Sequence, residues 1–257
     1  MTDGRRDAQW ERQRLSFGDC AATYDAARPE WPAATARWLT GTEDGGPLAG
    51  RGRLRVAVVG AGTGKLTRTL VAAGHEVVAV DPSDGMLEAL RAAVPGTPTF
   101  VGTGEQLPLP DAAVDVVTVA QAWHWFDADA ASFEAARVLR PGGVLGIAWH
   151  VRDETVPWVR ELSELTHPVL ESDRVPAALP GPPAFTPVEQ AVFRYEQRLT
   201  VEELVTLASS WSYVATRPDR ERVLAGVRAL GERAAAGRGA VVVPHRTRCF
   251  RVRRVES

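Results

Sequence analysis

The stretch Val56-Ala57-Val58-Val59-Gly60-Ala61-Gly62-Thr63-Gly64-Lys65-Leu66-Thr67 decides the fold. Four apolar residues run into three alternating glycines, and a helix-forming segment, Leu66 to Ala73, follows at once. The next run, Glu76-Val77-Val78-Ala79-Val80, closes on Asp81. A strand, a glycine turn, a helix and a second strand that ends in an acid form a nucleoside-binding half-unit. Glycine lets the backbone approach a ligand closely, and Asp81 can accept hydrogen bonds from both hydroxyls of a ribose.

The glycine spacing then separates ligand classes. A dinucleotide fingerprint requires G-x-G-x-x-G, but counting from Gly60 places Lys65 where the third glycine should stand. The turn is G-x-G-x-G, tighter and suited to a ligand that puts no pyrophosphate on the helix N-terminus. A phosphate-binding loop of the form G-x-x-x-x-G-K-[ST] fails as well.

Working outward, apolar runs alternate with helix-like segments. Strands are expected near 54–60, 76–81, 98–101, 114–120 and 143–149, and helices near 64–74, 83–94, 128–139 and 154–170. Such alternation predicts a parallel sheet covered on both faces. Val114 to Ala120 is nearly all apolar, as a central parallel strand should be. Arg140-Pro141-Gly142-Gly143 reads as a turn that ends a helix and starts a strand. Pro176 to Pro187 reads as a surface loop, and strands six and seven are expected at 188–199 and 240–252. A helical stretch, Val201 to Ala236, lies between those last two strands. The arginines from Arg246 to Arg254 read as the solvated side of the final strand.

Composition bounds the rest. The chain has 257 residues, 45% of them hydrophobic, and a formal net charge of −2, which gives no reason to expect nucleic acid as partner. Its two cysteines, Cys20 and Cys249, stand far apart and form no metal-ligand pattern, so no metal is expected. No signal segment or transmembrane run is visible, and a cytoplasmic protein is expected. Lys65 is the only lysine.

Several further segments resemble one family. Phe17-Gly18, Tyr24-Asp25-Ala26-Ala27-Arg28-Pro29 and Trp31-Pro32 resemble its N-terminal signature. Asp81-Pro82-Ser83-Asp84-Gly85-Met86, Gly102 to Asp111, Ala120-Gln121-Ala122-Trp123-His124-Trp125-Phe126-Asp127, Val138 to Gly143 and Trp149 to Glu154 resemble its core segments. The chain is identified by these as a member of the class I S-adenosylmethionine-dependent methyltransferases, type 11 small-molecule group, similar to trans-aconitate methyltransferase-like proteins. The resemblance covers residues 16 to about 155 well. It implies an α/β fold: a Rossmann-like doubly wound seven-stranded mostly parallel sheet with an antiparallel last strand. Residues 1–257 are expected as a single domain, with 1–40 covering the cofactor, 53–150 forming the cofactor-binding core and 200–237 a helical lid insertion.

The resemblance also implies roles. Gly60, Ala61, Gly62 and Gly64 would pass under the methionine and ribose of S-adenosylmethionine. Asp81 would hold the ribose, with Pro82 and Met86 near the adenine and Thr103, Gly104 and Glu105 at its edge. Gln121 and Ala122 would line the sulfonium, and Tyr24 and Arg28 would meet the methionine carboxylate. Trp123, Trp125, Trp211 and Tyr213 are candidate acceptor-facing residues. His124 is a candidate base or acceptor-orienting donor, needed only if the acceptor arrives with its proton. The family has an acid two residues before the first glycine, and here that residue is Val58. The function implied is methyl transfer to a small organic acceptor by in-line SN2 displacement, mainly through proximity and orientation. Two alternatives stand beside it: a non-catalytic binder of the same cofactor, for which Val58 speaks, and a nicotinamide-dependent oxidoreductase, against which the glycine spacing speaks. No base-flipping signature follows the run Val114 to Ala120.

Overall fold

A computed structural model describes residues 30–167 and 183–255. Along the chain they form α1 (Ala33–Thr40), β1 (Arg55–Val59), α2 (Lys65–Ala72), β2 (Glu76–Asp81), α3 (Asp84–Ala93), β3 (Thr99–Val101) and β4 (Val114–Ala120). A 3-10 turn (Trp123–Trp125) and α4 (Ala128–Val138) lead to β5 (Leu139–Arg152), α5 (Pro157–Thr166) and β6 (Glu189–Leu199). Then come α6 (Val201–Ser209), α7 (Ser212–Ala215), α8 (Arg220–Ala235) and β7 (Val241–Arg253).

One seven-stranded sheet runs in the order β3-β2-β1-β4-β5-β7-β6. The first five strands pair in parallel, and β7 pairs antiparallel with both β5 and β6. The expected Rossmann-like sheet with an antiparallel last strand is therefore present. Successive residues of β1 serve opposite faces: Val56 and Val58 join one buried cluster and Ala57 and Val59 another. That double burial accounts for the unbroken apolar runs of β1 and β4. The strand order reverses between β1 and β4, which makes the crevice beyond their carboxyl ends the place where such sheets bind ligands.

Two features depart from the sequence expectation. Arg140 to Gly143 is not a free turn, because β5 starts directly after α4 and the pairing jumps from Val114↔Leu139 to Val116↔Val144. The extra residues form a bulge, with Gly142 at φ 74° and its amide donating to the Arg254 carbonyl at 3.1 Å. Arg251 is not on a solvated face. Because β7 lies inside the sheet, its guanidinium is buried over the Trp38 ring (4.4 Å), where it meets Glu43 at 2.6 Å and Glu189 at 2.5 Å. The expected helical stretch from Val201 to Ala236 is present and is divided into the three helices α6, α7 and α8.

Those helices carry a core of their own. Leu204, Leu207, Trp211, Val223, Val227 and Leu230 pack with Leu162 of α5 and with Val241 and Val243 at the root of β7. Thr200 starts α6 with a capping box: its hydroxyl accepts from the Glu203 amide at 3.2 Å, and Glu203 accepts from the Thr200 amide at 2.7 Å. At the other end of the described chain, Glu30 accepts from Lys65 Nζ and from Arg68 Nη2, both at 2.8 Å, so the segment entering α1 is held on α2.

Candidate active site

The glycine turn leaves β1 at the switch point and is tied at once to β2. The Gly60 and Ala61 amides donate to the Val80 carbonyl at 2.9 and 3.1 Å. The Gly62 amide donates to Asp81 Oδ2 at 2.8 Å, and the Ser83 amide to Asp81 Oδ1 at 2.9 Å. The three glycines differ in what they do. A Cβ on Gly60 would lie 2.5 Å from the Ala122 methyl, and one on Gly64 2.8 Å from Leu90, so these two wedge the turn against β4's exit and against α3. A Cβ on Gly62, at φ 54°, would meet nothing within 4 Å. Gly62 alone opens onto the crevice, directly beside the buried Asp81 carboxylate.

Burial raises the Asp81 pKa, and the two amide bonds oppose that rise. A carboxylate offers about four lone-pair positions, so Asp81 retains acceptor capacity after serving Gly62 and Ser83. Its visible task is internal, to tie the glycine turn to β2. Met86 is buried at the first turn of α3, its amide donating to Ser83 Oγ at 3.3 Å, and Pro82 is half-buried beside Asp81.

The loop after β3 is built mainly by α4. Thr103 and Gln106 bridge each other, Gly104 presses on the Phe126 ring, and Glu105 Oε1 accepts from the Asp127 amide at 2.9 Å. Glu105 is thus committed to the start of α4, where Asp127 in turn accepts from the Asp129 and Ala130 amides. Further along, Arg137 donates to the carbonyls of Leu107 (3.0 Å) and Leu109 (2.8 Å) and pairs with Glu134 and Asp111. Glu134 closes the circuit by accepting from the Leu107 amide at 2.8 Å, and the Arg137 bonds hold its carboxyl below the usual range.

At the exit of β4 the backbone turns sharply. Gln121 has φ 58°, a left-handed conformation uncommon for a residue with a side chain. Two bonds hold it there, its amide donating to the Ala148 carbonyl (2.9 Å) and its Nε2 to the His150 carbonyl (3.1 Å). Ala122 fills the notch above Gly60. Trp123 is 2% exposed and sits in the main core, edge-on to Phe126. His124 is exposed, its Nδ1 accepts from the Trp149 indole at 3.2 Å, and the half-buried Trp125 ring lies 4.8 Å away.

The carboxyl end of β5 links this turn to the helical segment. Arg152 is buried, its guanidinium 4.2 Å over the Trp211 ring, with Nε donating to Ser163 Oγ (3.1 Å) and Nη1 to the Tyr213 hydroxyl (3.4 Å). Trp211 is mainly core, whereas Tyr213 is half-buried. Beside them His150 stacks on Trp31 at 3.8 Å and bonds Thr247 Oγ1 at 2.8 Å, and Tyr195 stacks on His245 at 4.9 Å.

Gly60, Ala61, Gly62, Gly64, Asp81, Thr103, Gly104, Glu105, Gln121 and Ala122 thus gather at one edge of the sheet through direct contacts or shared loops. Trp211 and Tyr213 join that edge through Arg152. Tyr24, Arg28 and Cys20, with most of the loop from Pro176 to Pro187, lie outside the described residues. Val58 is buried within β1, so no carboxylate occupies that position. Trp149, Arg152 and Arg137 were not singled out from the sequence. A usable signal was present for the first two, since they leave a parallel strand at the ligand-binding edge. Among the described residues no cluster could hold a metal ion and no helix is long and apolar enough to cross a membrane.

Comparison with known proteins supports the same core. The family described as a methyltransferase domain matches residues 57–147. An uncharacterized methyltransferase of Mycobacterium tuberculosis is 44% identical over 255 residues, covering 98% of this chain and 98% of its own length. A methyltransferase-like protein of Schizosaccharomyces pombe, also uncharacterized, is 36% identical over 80% of this chain and 81% of its own. Among solved structures, a protein of Anaeromyxobacter dehalogenans provisionally described as a type II methyltransferase is 29% identical. It covers 88% of this chain and 97% of its own, with a TM-score of 0.65.

Proposed function

The chain belongs to the class I S-adenosylmethionine-dependent methyltransferases, and from that premise we propose that it methylates a small organic acceptor by in-line displacement at the β1–β4 switch point. The observation that carries this is the clasp between Gly62 and Asp81, an open glycine beside a buried carboxylate with lone pairs to spare. The residues fit the cofactor: Gly62 gives room for close approach and Asp81 acceptors for ribose hydroxyls. Thr103 and Gly104 would face the adenine edge, and Gln121 and Ala122 the sulfonium. Tyr24 and Arg28 would take the methionine carboxylate. When bound, S-adenosylmethionine supplies a methyl group that is already electrophilic.

The protein's own work is then to orient and to exclude water. Gln121 is locked by two bonds in an unusual conformation and so offers a fixed wall. Arg137, Glu134 and Glu105 hold the adenine-side loop against α4. The helices from Val201 to Ala236, resting on α5 and on Arg152, would serve as the acceptor-side cover, with Trp125 and Tyr213 as its apolar lining. Trp123 and Trp211 would support that lining from beneath. Positioning of this kind is worth roughly 7–11 kcal/mol in favourable cases. His124, in the 3-10 turn that follows Gln121, would be a polar group on the acceptor side.

Titration calorimetry with S-adenosylmethionine and, separately, with NAD(H) tests the cofactor half. Micromolar binding of the former alone is expected, and binding of the nicotinamide alone would overturn it. The acceptor half is tested by mass-spectrometric search for methylated products among small acids, phenols and amines.

A further inference from the structure

We propose that the free edge of β6 is a dimerisation strand: a second copy of this chain adds its own β6 antiparallel, about a two-fold axis through Tyr195, so that two sheets become one. This goes beyond methyl transfer and does not depend on it.

Which backbone groups of β6 are spare follows from the ladders beside it. At the two ends of the β5–β7 ladder, the Arg254 amide donates to the Gly143 carbonyl and the Asp153 amide to the Pro244 carbonyl, both at 2.8 Å. Amides and carbonyls alternate sides along a strand. Even-numbered residues of β7 therefore bond to β5, and odd-numbered ones turn to β6. The Arg253 carbonyl, which accepts from the Thr186 amide at 2.9 Å, fits that alternation. The register sets odd against odd, as in Tyr195↔His245 and Phe193↔Thr247. Gln190, Val192, Arg194, Glu196 and Arg198 are left to turn their amides and carbonyls outward, and all five side chains are exposed. Among the described residues no strand lies beyond them.

Sheet edges are ordinarily blunted by shortness, proline, bulges or charge. β3, the opposite edge, is blunted by length, with three residues. β6 has eleven, contains no proline, and keeps an unbroken register with β7 from Glu189↔Arg251 to Leu199↔Val241. Charge is the device it has, and the outward row carries both signs in alternation: Arg194, Glu196, Arg198. Such a row repels a copy of itself in some registers and attracts it in another.

A two-fold axis normal to the sheet keeps each side chain on its own face, so the axis passes through a residue. On Arg194 it would set two guanidinium groups face to face, and on Glu196 two carboxylates; like charges directly opposed destabilise a pair. On Phe193 no opposite charges meet. On Gln197 they do, but Val192 then lies opposite Glu202, in α6 rather than β6. On Tyr195, Arg194 meets the second copy's Glu196, Glu196 meets its Arg194, and Val192 meets its Arg198. Symmetry makes each of these pairs twice.

Sedimentation velocity of the full chain over a concentration series is the test, and a reversible dimer is expected. Val192→Pro removes an amide that serves only the free edge and leaves the ladder to β7 intact, so a folded monomer is expected. Arg194→Glu alone and Glu196→Arg alone each oppose like charges and should weaken the dimer at least about tenfold. Mixed in equal amounts, the two variants should pair with each other to within about threefold of the native affinity, because opposite charges then meet at both positions. A native protein that stays monomeric at every concentration overturns the proposal, even if its edge accepts an unrelated extended peptide. So does a dimer that survives Val192→Pro or ignores both charge reversals, and so does a mixture that fails to pair. Should Val192→Pro not fold, the two reversals and their mixture decide alone.

Discussion

The two halves of the sheet are built differently at their carboxyl-terminal edge, and in the function proposed above each would recognise a different ligand. On the β3-β2-β1-β4 side the site is made of backbone: glycines, amides and one carboxylate that binds them. On the β5-β7-β6 side it is made of side chains, with rings and guanidinium groups stacked across strands. Small residues at fixed spacing would suffice for a ligand that every member of the family shares, because close approach and amide direction would do the recognising. In the proposed function an acceptor that differs from enzyme to enzyme would be met by side chains on longer, more irregular elements. The first half can therefore be broken by adding atoms and the second by removing them.

Gly60→Val should have the largest effect. It combines left-handed strain with a collision against Ala122, each worth about 1–3 kcal/mol, and should abolish cofactor binding. Gly62→Ala meets no neighbour and should cost only about 1–2 kcal/mol of strain, keeping the fold while weakening cofactor affinity. Urea melting with titration calorimetry checks both. If the two variants behave alike, the distinction between a wedging and a cradling glycine is lost.

On the other half, Trp211→Ala should lower stability by about 3–5 kcal/mol and leave the cofactor Kd of the folded fraction within twofold. A selective loss of cofactor affinity would mean that the helical segment reaches the first half. Asp81→Ala should weaken cofactor binding at least about tenfold, since hydrogen bonds to charged groups contribute about 1.5–3 kcal/mol each. Thr200→Ala, which removes the cap of α6, should cost about 1 kcal/mol in urea melting and leave cofactor binding untouched.

The smallest effect is one of pH. Burial raises the Asp81 pKa in the folded protein, so between the unfolded and folded values the native state binds more protons. The contribution of Asp81 to stability is present below the unfolded value and lost as pH rises through the folded one. Cofactor hydroxyls favour the ionised form, so affinity should move the opposite way and fall as pH drops through the raised pKa. Calorimetry across that range, with Asp81→Asn as the flat control, separates the two trends.

The same division governs what the sequence reveals. β1, β2, β4, the glycine turn and Asp81 are legible because the information is local: an apolar run, a spacing, an acid. The sheet's other half is less so. Nothing local says that β7 inserts between β5 and β6, and so Arg251 reads as solvated when it is buried. The bulge at Arg140 to Gly143 reads as a turn because proline and glycine mark both. Trp149 and His124 stand 25 residues apart, and Arg137 and Leu107 30; such pairings are chosen by the closed fold. Trp123 and Trp125, two positions apart, look equivalent in sequence, yet the 3-10 turn buries one and leaves the other half-exposed.

The ion pair between Glu30 and Lys65 has a practical reach. Lys65 is the single lysine of the chain, and only 12% of its side chain is exposed while it is paired. An amine-directed reagent therefore has one side-chain target, at the point where the segment entering α1 rests on the helix behind the glycine turn. Its rate of acylation is a built-in gauge of that contact: slow while Glu30 is seated, faster when it lifts, and readable by peptide mapping as the single side-chain increment, apart from that of the α-amino group.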